Sequence, residues 1–513
     1  MTSPIKSIVI VGGGSAGWMS ASYLQKVLSA FEHKVEITVI EPADIPVIGV
    51  GEATIPTIRE FFSLLDIPEV ELLIKSDASI KTAIKFVDWN NKGDSGYYHP
   101  FDSPAFSDGF TIAEHWMALK QNNKLSNPVF SIDTGIVSKL CEDNLIFKST
   151  SETQYNAATP YAYHLDAIKM SAHLKKIALQ RGVKLITDKC VNVNVDTNGN
   201  ISSVDTEHNG EISADFFIDC TGFHQLLLEK TLGDTYTDYD ELLCNSAITA
   251  ATKLKENDSE GIRCYTTATA LSSGWAWEID LPSRTGNGYV YSNKFQSEES
   301  AQQELAKHLN KEVNELEFKS MQFRPGRRDN FWSKNCLAIG LSAGFIEPLE
   351  STGLQLIEVG LRMFFDHFPN SVSDSDEVRD QYNLLMREQF DEAKDFVHLH
   401  YLISKRNETE FWQTATDKNK ISTTLEQRLK LWQQKLPSQT DFRKYAIFTS
   451  TNYMYILAGM NYFNISNYNK LNYIPESRSI AILEQMKVFQ NDAKKRSIKH
   501  PDFVERIRAP FGL

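Results

Sequence analysis

The chain has 513 residues and a formal net charge of −13, with 42% hydrophobic and 23% charged residues. This composition is close to average soluble usage, and the acidic balance argues against a general binder of nucleic acid or anionic membranes. Six cysteines occur without a CxxC pair, so neither a disulfide framework nor a zinc site is indicated. The N-terminus lacks the apolar core of a signal peptide, and no apolar run reaches the roughly 18 residues that a bilayer requires. We therefore expect a soluble, cytoplasmic protein.

The N-terminal segment has the pattern of a dinucleotide-binding unit. A β-branched run, a GxGxxG loop, a helical stretch, an apolar strand and a terminal acid follow one another at 7–11, Gly12–Gly17, 18–30, 35–40 and Glu41. Such glycines allow a tight turn and close approach of a pyrophosphate, and the acid can bind a ribose hydroxyl. Because strand, helix and acid all flank the loop, a ligand site is favoured over a glycine-rich turn that binds nothing.

Later segments favour FAD as the dinucleotide. Residues 182–200 predict a hairpin with Asn198-Gly199 at its turn. Residues 216–222 predict a strand ending in D-x-T-G, and residues 336–340 predict a further strand ending in glycine. Three such elements returning to one sheet resemble the FAD-binding fold of the glutathione-reductase type.

The stretch 345–353, FIEPLESTG, links the strand at 336–340 to an amphipathic segment at 354–368. A strand, a small-residue turn and a helix start in this order point backbone N–H groups at an anion. Glu350 lies just before the helix start and would neighbour that anion. Its alternative role is to stabilise the helix, by about 0.3–1 kcal/mol.

Other segments contain candidate residues or patterns that do not indicate a function by themselves. The loop at 48–56 contains two glycines and a proline, which marks a shaped turn. Lys81 and Lys85 share one side of their segment, a pattern that usually indicates a solvated face. The alternating segment around Trp275 and Trp277 predicts a second sheet, and the last third of the chain predicts charged helices.

Together these motifs resemble the flavin-dependent halogenases, specifically the tryptophan halogenase family. The matching motifs occur in one order along nearly the whole chain: GGGSAGW (12–18), GVGEATIPT (49–57), KTAIKF (81–86), the Trp275/Trp277 pair and FIEPLESTG (345–353). The last fits the family pattern FxxPxxSxG, and the tryptophan pair fits WxWxI. The resemblance implies an α/β, FAD-binding fold with a second sheet and a mostly helical C-terminal, substrate-binding part.

The resemblance also implies a reaction. In the family, reduced FAD and O2 give a C4a-hydroperoxide, and a halide attacks its distal oxygen to form hypohalous acid, which passes to an electron-rich aromatic. Lys81 would receive or orient the hypohalous acid, because a buried ammonium can polarise the halogen. Glu350 would assist polarisation or remove the proton of the arenium ion. The backbone N–H groups of Thr352 and Gly353 would bind the halide. With no second nucleotide-binding unit apparent, a separate flavin reductase would supply FADH2.

The resemblance assigns further residues and domain ranges. The implied FAD contacts are Gly12, Gly14, Ser15, Ala16, Gly17, Glu41, Val50, Glu52, Ala53, Val191, Leu341 and Ser351. The implied substrate contacts are His99, Phe101 and Tyr453. The predicted FAD-binding domain comprises 1–89, 155–225 and 325–370, and the predicted substrate-binding part comprises 90–154, 226–324 and 371–513.

The chain departs from the family where free tryptophan is held. Tyr453 matches, but Met454 and Met460 stand where a second tyrosine and an acid are expected. Without that acid, a zwitterionic head loses a charge partner. We therefore expect an indole-like or phenolic substrate rather than free tryptophan. An FAD-dependent aromatic monooxygenase and a non-catalytic FAD sensor remain alternatives. The halide (chloride, bromide or iodide), the regiochemistry and a homo-oligomeric state stay open.

Overall fold

The structure is a computed structural model that describes residues 4–43, 51–102, 106–107, 109–149, 154–254, 261–369, 371, 376–463 and 468–512. The chain divides into two compact units. The first unit takes its residues from Met1–Asp77, Leu165–Tyr239 and Phe323–Asp391, and the second takes them from Ala78–His164, Asp240–Gln322 and Glu392–Leu513.

The helices and strands alternate in the order of an α/β protein. The helices are α1 Ser15–Leu28, α2 Ile58–Leu64, α3 Glu69–Lys75, α4 Ile112–Gln121, α5 Phe130–Thr134, α6 Ile136–Cys141, α7 Ala167–Gln180, α8 Glu298–His308, α9 Thr352–Asp366, α10 Asp376–Leu402, α11 Glu410–Ala415, α12 Thr423–Leu431, α13 Ser450–Gly459, α14 Glu476–Arg496 and α15 His500–Arg508. The strands are β1 Ser7–Val11, β2 Glu36–Glu41, β3 Gly51–Ala53, β4 Ser79–Lys81, β5 Ala83–Val87, β6 Tyr97–Pro100, β7 Phe106–Ser107, β8 Phe110–Thr111, β9 Leu145–Ile146, β10 Ala162–Asp166, β11 Lys184–Thr187, β12 Cys190–Val195, β13 Ile201–Thr206, β14 Gly210–Ser213, β15 Phe216–Asp219, β16 Tyr236–Asp238, β17 Ser246–Thr252, β18 Tyr265–Leu271, β19 Gly274–Leu281, β20 Arg284–Tyr291, β21 Lys319–Gln322, β22 Gly326–Arg328, β23 Trp332–Ser333, β24 Cys336–Ala338, β25 Gly344–Phe345 and β26 Ile498–Lys499.

The first unit is built on a six-stranded sheet in the order β11-β2-β1-β15-β24-β23. The first five strands run parallel to their neighbours, and β23 is antiparallel to β24. Parallel strands joined by crossovers bury both faces, which explains the continuous β-branched runs. The predicted βαβ unit is confirmed, and so is the return of three glycine-terminated strands, β1, β15 and β24, to one sheet.

Two smaller sheets also lie in this unit. The turn of the predicted hairpin is confirmed at Asn198-Gly199, where Gly199 takes a positive φ of 82°, but its bounds differ from the predicted 182–200. The hairpin strands are β12 and β13, and residues 184–187 instead form β11 of the parallel sheet. The sheet β16-β22-β25 leads the chain to Phe345, where the FIEPLESTG stretch begins. Helix α9 then starts at Thr352, two residues before the predicted start. Its apolar stripe, Leu354, Ile357, Leu361 and Phe364, is buried.

The second unit is built on a seven-stranded sheet in the order β21-β17-β20-β19-β18-β5-β6, which confirms the predicted second sheet. Trp275 and Trp277 lie on one face of β19, and Ala276 on the other face packs in a cluster with Ala301 and Leu305 of α8. Because β5 pairs with β18, residues 78–89 lie in this unit rather than with the dinucleotide loop. The boundary drawn from the sequence at residue 89 therefore differs from that of the unit.

Helices form most of the rest of the second unit. Residues of α4, α13 and α14 share an apolar cluster that includes Trp116, Met454, Tyr455 and Met486. Within the described ranges, no helix combines the length and apolar character needed to cross a bilayer.

Candidate active site

The glycine loop of the first unit is shaped by two close backbone approaches. Gly12 has a φ of +110°, and a Cβ there would lie 2.2 Å from the carbonyl oxygen of Cys220. A Cβ on Gly17 would lie 1.9 Å from the carbonyl oxygen of Gly12. Around Gly14, by contrast, nothing lies within 4 Å of the Cβ position. Two glycines therefore serve packing, while the middle one leaves an open edge at which a ligand can approach the backbone.

Helix α1 begins at this open edge. Its N-cap residue is Gly14, which offers no side chain to the first N–H groups. Such uncapped N–H groups favour an anion, both through hydrogen bonding and through the helix dipole. The hydroxyl of Ser15 lies 3.0 Å from that of Ser171 on α7, which fixes the start of the helix. The loop and helix start thus fit the pyrophosphate of a dinucleotide.

Glu41 lies beside the loop at the end of β2. Lys175 on α7 forms an ion pair with its carboxylate at 2.5 Å, and the Trp18 indole N–H donates to it at 3.3 Å. A Cβ on Gly13 would come within 2.4 Å of this side chain. An ionised carboxylate has about four acceptor positions, so Glu41 retains capacity for a ribose hydroxyl. The sequence missed Lys175, since no motif places it here, and it gave Trp18 only as the last residue of GGGSAGW.

The ends of β15 and β24 meet the same loop. Asp219 at the end of β15 accepts from the Thr221 hydroxyl at 2.6 Å and from the backbone N–H of Leu227 at 2.8 Å, which fixes the D-x-T-G turn. Leu341 lies in a short 3-10 turn, Gly340–Ser342, after β24. A Cβ on Gly340 would lie 2.6 Å from the Cβ of Ala16. The structure therefore brings Leu341's turn against the glycine loop.

The remaining sequence-predicted cofactor residues lie elsewhere in the first unit. Glu52 and Ala53 are half-buried on β3, and burial raises the pKa of Glu52 to about 7. Val191 is 53% exposed on β12. Val50 lies outside the described residues. Ser351 has a positive φ of 61° immediately before α9.

The start of α9 has the properties of a small-anion site. Ser351, its N-cap residue, makes no side-chain cap. Thr352 is fully buried, and within the described part of the chain its hydroxyl oxygen has no hydrogen-bond partner. A Cβ on Gly353 would meet nothing within 4 Å. Since buried polar atoms are normally paired, an orphaned hydroxyl beside uncapped N–H groups and open space fits a bound anion.

Two carboxylates precede this helix start. Glu350 ends a 3-10 turn at Pro348–Glu350 and is 2% exposed. Glu347 is 1% exposed. Buried carboxylates are expensive and concentrate at functional sites. The sequence analysis identified Glu350 alone, because a motif can be recognised in a sequence whereas the burial of a carboxylate cannot.

Lys81 and Phe101 lie together in the second unit. Lys81 ends β4 with no exposed surface, and its Nζ is 5.2 Å from the centroid of the Phe101 ring. The Phe101 N–H donates to the carbonyl of Thr82 at 3.1 Å, which holds the two segments together. Lys85 is only half-buried and lies over Tyr98 at 5.4 Å. The two lysines of KTAIKF therefore have different environments, and Lys81 is the buried one.

The other sequence-predicted substrate residues share a neighbour, Phe396. The His99 ring is 5.8 Å from Phe396, and its Nε2 lies 3.0 Å from the Asn452 amide. The Tyr453 ring is 4.8 Å from Phe396, and the Arg428 guanidinium donates to its hydroxyl at 3.3 Å. Burial raises the pKa of the Tyr453 phenol. Sequence reasoning missed Phe396, Asn452 and Arg428, which carry no motif.

Trp277 places an indole N–H donor in the interior of the second unit. It is 6% exposed, and its indole N–H has no hydrogen-bond partner among the described residues. Its ring packs where a Cβ on Gly288 would stand, at 2.1 Å. Buried indole N–H groups usually find a partner, so this donor is available to a ligand.

The parallel sheet, the glycine loop and its acid define an FAD-binding α/β protein. The family model for tryptophan halogenase matches residues 7–474. The chain belongs to the tryptophan halogenase family, and the predicted resemblance and fold class are confirmed. Members of this family are flavin-dependent halogenases, enzymes that use FAD and a halide, depend on a separate flavin reductase and act on an aromatic substrate.

Individual relatives agree with this assignment. The tryptophan 6-halogenase SttH of Streptomyces toxytricini is 36% identical over 469 residues, covering 88% of each chain. The structure of Tar14, a tryptophan C-6 flavin-dependent halogenase (chlorinase) from taromycin biosynthesis, superposes with a TM-score of 0.91 at 33% identity, covering 98% of this chain and 100% of that one. BrvH, a flavin-dependent halogenase from Brevundimonas sp. BAL3, gives a TM-score of 0.88 at 29% identity, covering 98% and 99%.

Proposed function

We propose that this halogenase uses FADH2, O2 and a halide to halogenate an electron-rich aromatic that lacks an amino-acid head. The observation that carries the halide role is the start of α9, where the buried Thr352 hydroxyl lacks a partner among the described residues and Gly353 faces open space. FAD in its reduced form supplies the activation of O2 that oxidises the halide to hypohalous acid. The first unit is the FAD-binding part and the second is the substrate-binding part.

The first unit would hold both FAD and the halide. The open edge at Gly14 and the start of α1 take the pyrophosphate, and Glu41 takes a ribose hydroxyl. The N–H groups of Thr352 and Gly353 take the halide, since a small anion suits a helix N-terminus. These donors act equally on chloride, bromide and iodide, of which iodide is the easiest to oxidise.

Lys81 and Glu350 would carry the transfer. The Lys81 ammonium donates a hydrogen bond to the oxygen of hypohalous acid, which makes the halogen more electrophilic. Its complete burial excludes water that would compete for this bond. The Glu350 carboxylate stabilises the cationic arenium ion or accepts its proton.

The proposed substrate class is inferred from helix α13 and the residue that follows it. Met454 packs in the apolar cluster with Trp116 and Met486, and Met460 is fully buried. Neither side chain can pair with an ammonium group. The names of SttH and Tar14 favour free tryptophan as the alternative substrate. The apolar character of α13 favours indole-like or phenolic compounds over it.

The working environment is proposed on the same basis. A separate flavin reductase delivers FADH2 by diffusion, and the enzyme works in the cytoplasm on a small molecule, alone or as a homo-oligomer. The acidic net charge suits a protein that binds neither nucleic acid nor anionic lipid.

The test is a substrate panel with reductase-supplied FADH2. Tryptophan, indole and phenols are each combined with chloride, bromide and iodide, and products are identified by mass spectrometry. Halogenated indole or phenol, formed faster than halogenated tryptophan, is the expected result. Faster reaction of free tryptophan would disprove the substrate proposal. Hydroxylated product formed without halide would instead support a monooxygenase, and FAD binding without any product would support a sensor.

A further inference from the structure

Two of the six cysteines face one another in the second unit. Cys141 ends α6 and Cys264 directly precedes β18, and their sulfur atoms lie 3.9 Å apart. They are 2% and 0% exposed. The halogenation proposed above uses neither thiol. A dithiol at this distance can be oxidised to a disulfide if the sulfur atoms approach by about 2 Å, to the roughly 2.05 Å of an S–S bond.

The backbone around the pair is held on both sides. The Thr82 N–H donates to the carbonyl of Cys264 at 2.8 Å, and the Thr82 hydroxyl lies 3.3 Å from the Cys141 sulfur. The Asn144 side chain accepts from the Cys264 N–H at 2.9 Å and donates to the carbonyl of Ile262 at 2.9 Å. These bonds keep α6 and the start of β18 in register, so the two thiols stay opposed.

Thr82 connects this dithiol to the proposed catalytic residue. It follows Lys81 in the chain, and its carbonyl accepts the N–H of Phe101, the ring beside Lys81. One residue thus contacts the cysteines with its hydroxyl and N–H and the Lys81 segment with its carbonyl. A change in the separation of Cys141 and Cys264 would move the support of Lys81 and Phe101.

We propose that Cys141 and Cys264 form an oxidisable dithiol, which hypohalous acid made by the enzyme converts to a disulfide that stops turnover. The inference rests on the proposed function, which supplies the oxidant. Both thiols are almost completely buried, so oxidants arriving from solvent have little access to them. Hypohalous acid is small and neutral, and it is released inside the enzyme, so it can reach a pair that bulk oxidants reach slowly.

The oxidation balances with hypohalous acid as the only oxidant. The first sulfur attacks the halogen, an S–X bond forms, the O–X bond breaks, and the released hydroxide takes the thiol proton to give water. The second sulfur then attacks the first, the S–S bond forms, and X leaves as halide with the second proton. Two thiols lose two electrons in total, and the halogen gains them.

The experiment follows the cross-link during turnover of the full-length enzyme. Enzyme, flavin reductase, NADH, FAD, bromide, indole and catalase are incubated in air, quenched with N-ethylmaleimide in denaturant and digested without reduction. Mass spectrometry should show a peptide joined between Cys141 and Cys264, lighter by two hydrogens, that grows as activity falls and is absent without bromide. Dithiothreitol should remove it and restore activity. Loss of activity with both thiols fully alkylated would overturn the proposal.

Variants and a direct oxidant separate this inference from the proposed function. Cys141→Ser and Cys264→Ser should each lack the cross-link and stay active for more turnovers. Cys244→Ser, at an equally buried thiol beside Tyr401, should inactivate like the wild type. Hypobromous acid added to resting enzyme should form the same cross-link even if the enzyme halogenates nothing. If hypobromous acid forms no cross-link in resting enzyme, the dithiol proposal is refuted. If added hypobromous acid forms the cross-link but turnover of the active enzyme does not, the hypohalous acid made by the enzyme is not the oxidant.

Discussion

Substitution of single glycines in the N-terminal loop tests the assignment of its open edge to FAD. Gly14→Ala places a methyl group where nothing lies within 4 Å, and φ of −75° at this position is accessible to alanine. Alanine is a poorer N-cap than glycine, which lowers the free energy of unfolding by up to about 1 kcal/mol. Alanine also restricts the unfolded chain, which raises the free energy of unfolding by about 0.4–1 kcal/mol. The free energy of unfolding of the apoprotein should therefore hardly change.

FAD binding should respond differently. The new methyl group stands at the edge where the pyrophosphate would meet the N–H groups of α1. Loss of one hydrogen bond to a charged group costs about 1.5–3 kcal/mol. The Kd for FAD should therefore rise about 10- to 150-fold. Titration of the apoprotein with FAD, followed by fluorescence or calorimetry, measures this change.

Gly17→Ala is the matched comparison. Its methyl group would lie 1.9 Å from the carbonyl oxygen of Gly12, so the loop must move. Such overpacking costs about 1–3 kcal/mol, so this variant should lower the melting temperature of the apoprotein as well as FAD affinity. If Gly14→Ala binds FAD as tightly as the wild type, the open edge is not the cofactor site.

Three further predictions concern Lys81, Glu350 and Glu358. Lys81→Met should abolish halogenation with FAD affinity retained, whereas Lys85→Met should leave the halogenation rate nearly unchanged. If both variants lose activity equally in product assays, Lys81 has no special role. Glu350→Gln should lower the halogenation rate while FAD still binds, and loss of FAD instead would make Glu350 structural. Burial raises the pKa of Glu358 from 4.5 to about 7. Ionisation of this carboxyl therefore destabilises the folded state increasingly as the pH rises from about 4.5 to 7. Glu358→Gln should therefore stabilise the protein against urea more at pH 8 than at pH 5, and an equal effect at both would contradict the shift.

The dinucleotide unit could be predicted because its constraints are local. Gly17 is required because it lies against the carbonyl of Gly12 within the same loop, and this contact fixes the spacing of the two glycines. The partners of Glu41 could not be predicted in this way. Lys175 reaches it from α7, 134 residues away, and no spacing rule links a strand end to a residue on a distant helix.

The position of the proposed anion site was predictable, but its detail was not. The sequence located a helix start after FIEPLESTG but placed it at Leu354. The helix starts at Thr352 because Ser351 takes the left-handed conformation, with φ of 61°, and reverses the chain there. That conformation is costly for a residue other than glycine and is held by the surrounding structure, which the local sequence does not report. The unpartnered hydroxyl of Thr352 depends on burial in the same way.

The environment of the proposed substrate residues was the least accessible to sequence reasoning, and Tyr453 shows why. A motif match can identify an aromatic side chain but not which of its faces is covered. Tyr453 packs against Phe396, Trp432 and Phe442 and bonds to Arg428, so its ring is fixed by the packing of α10, α12 and α13. Tyr453→Phe keeps that packing and removes only the hydroxyl. A raised KM for indole at unchanged melting temperature would place the hydroxyl at the substrate, whereas lowered stability at unchanged KM would make it a support for Arg428.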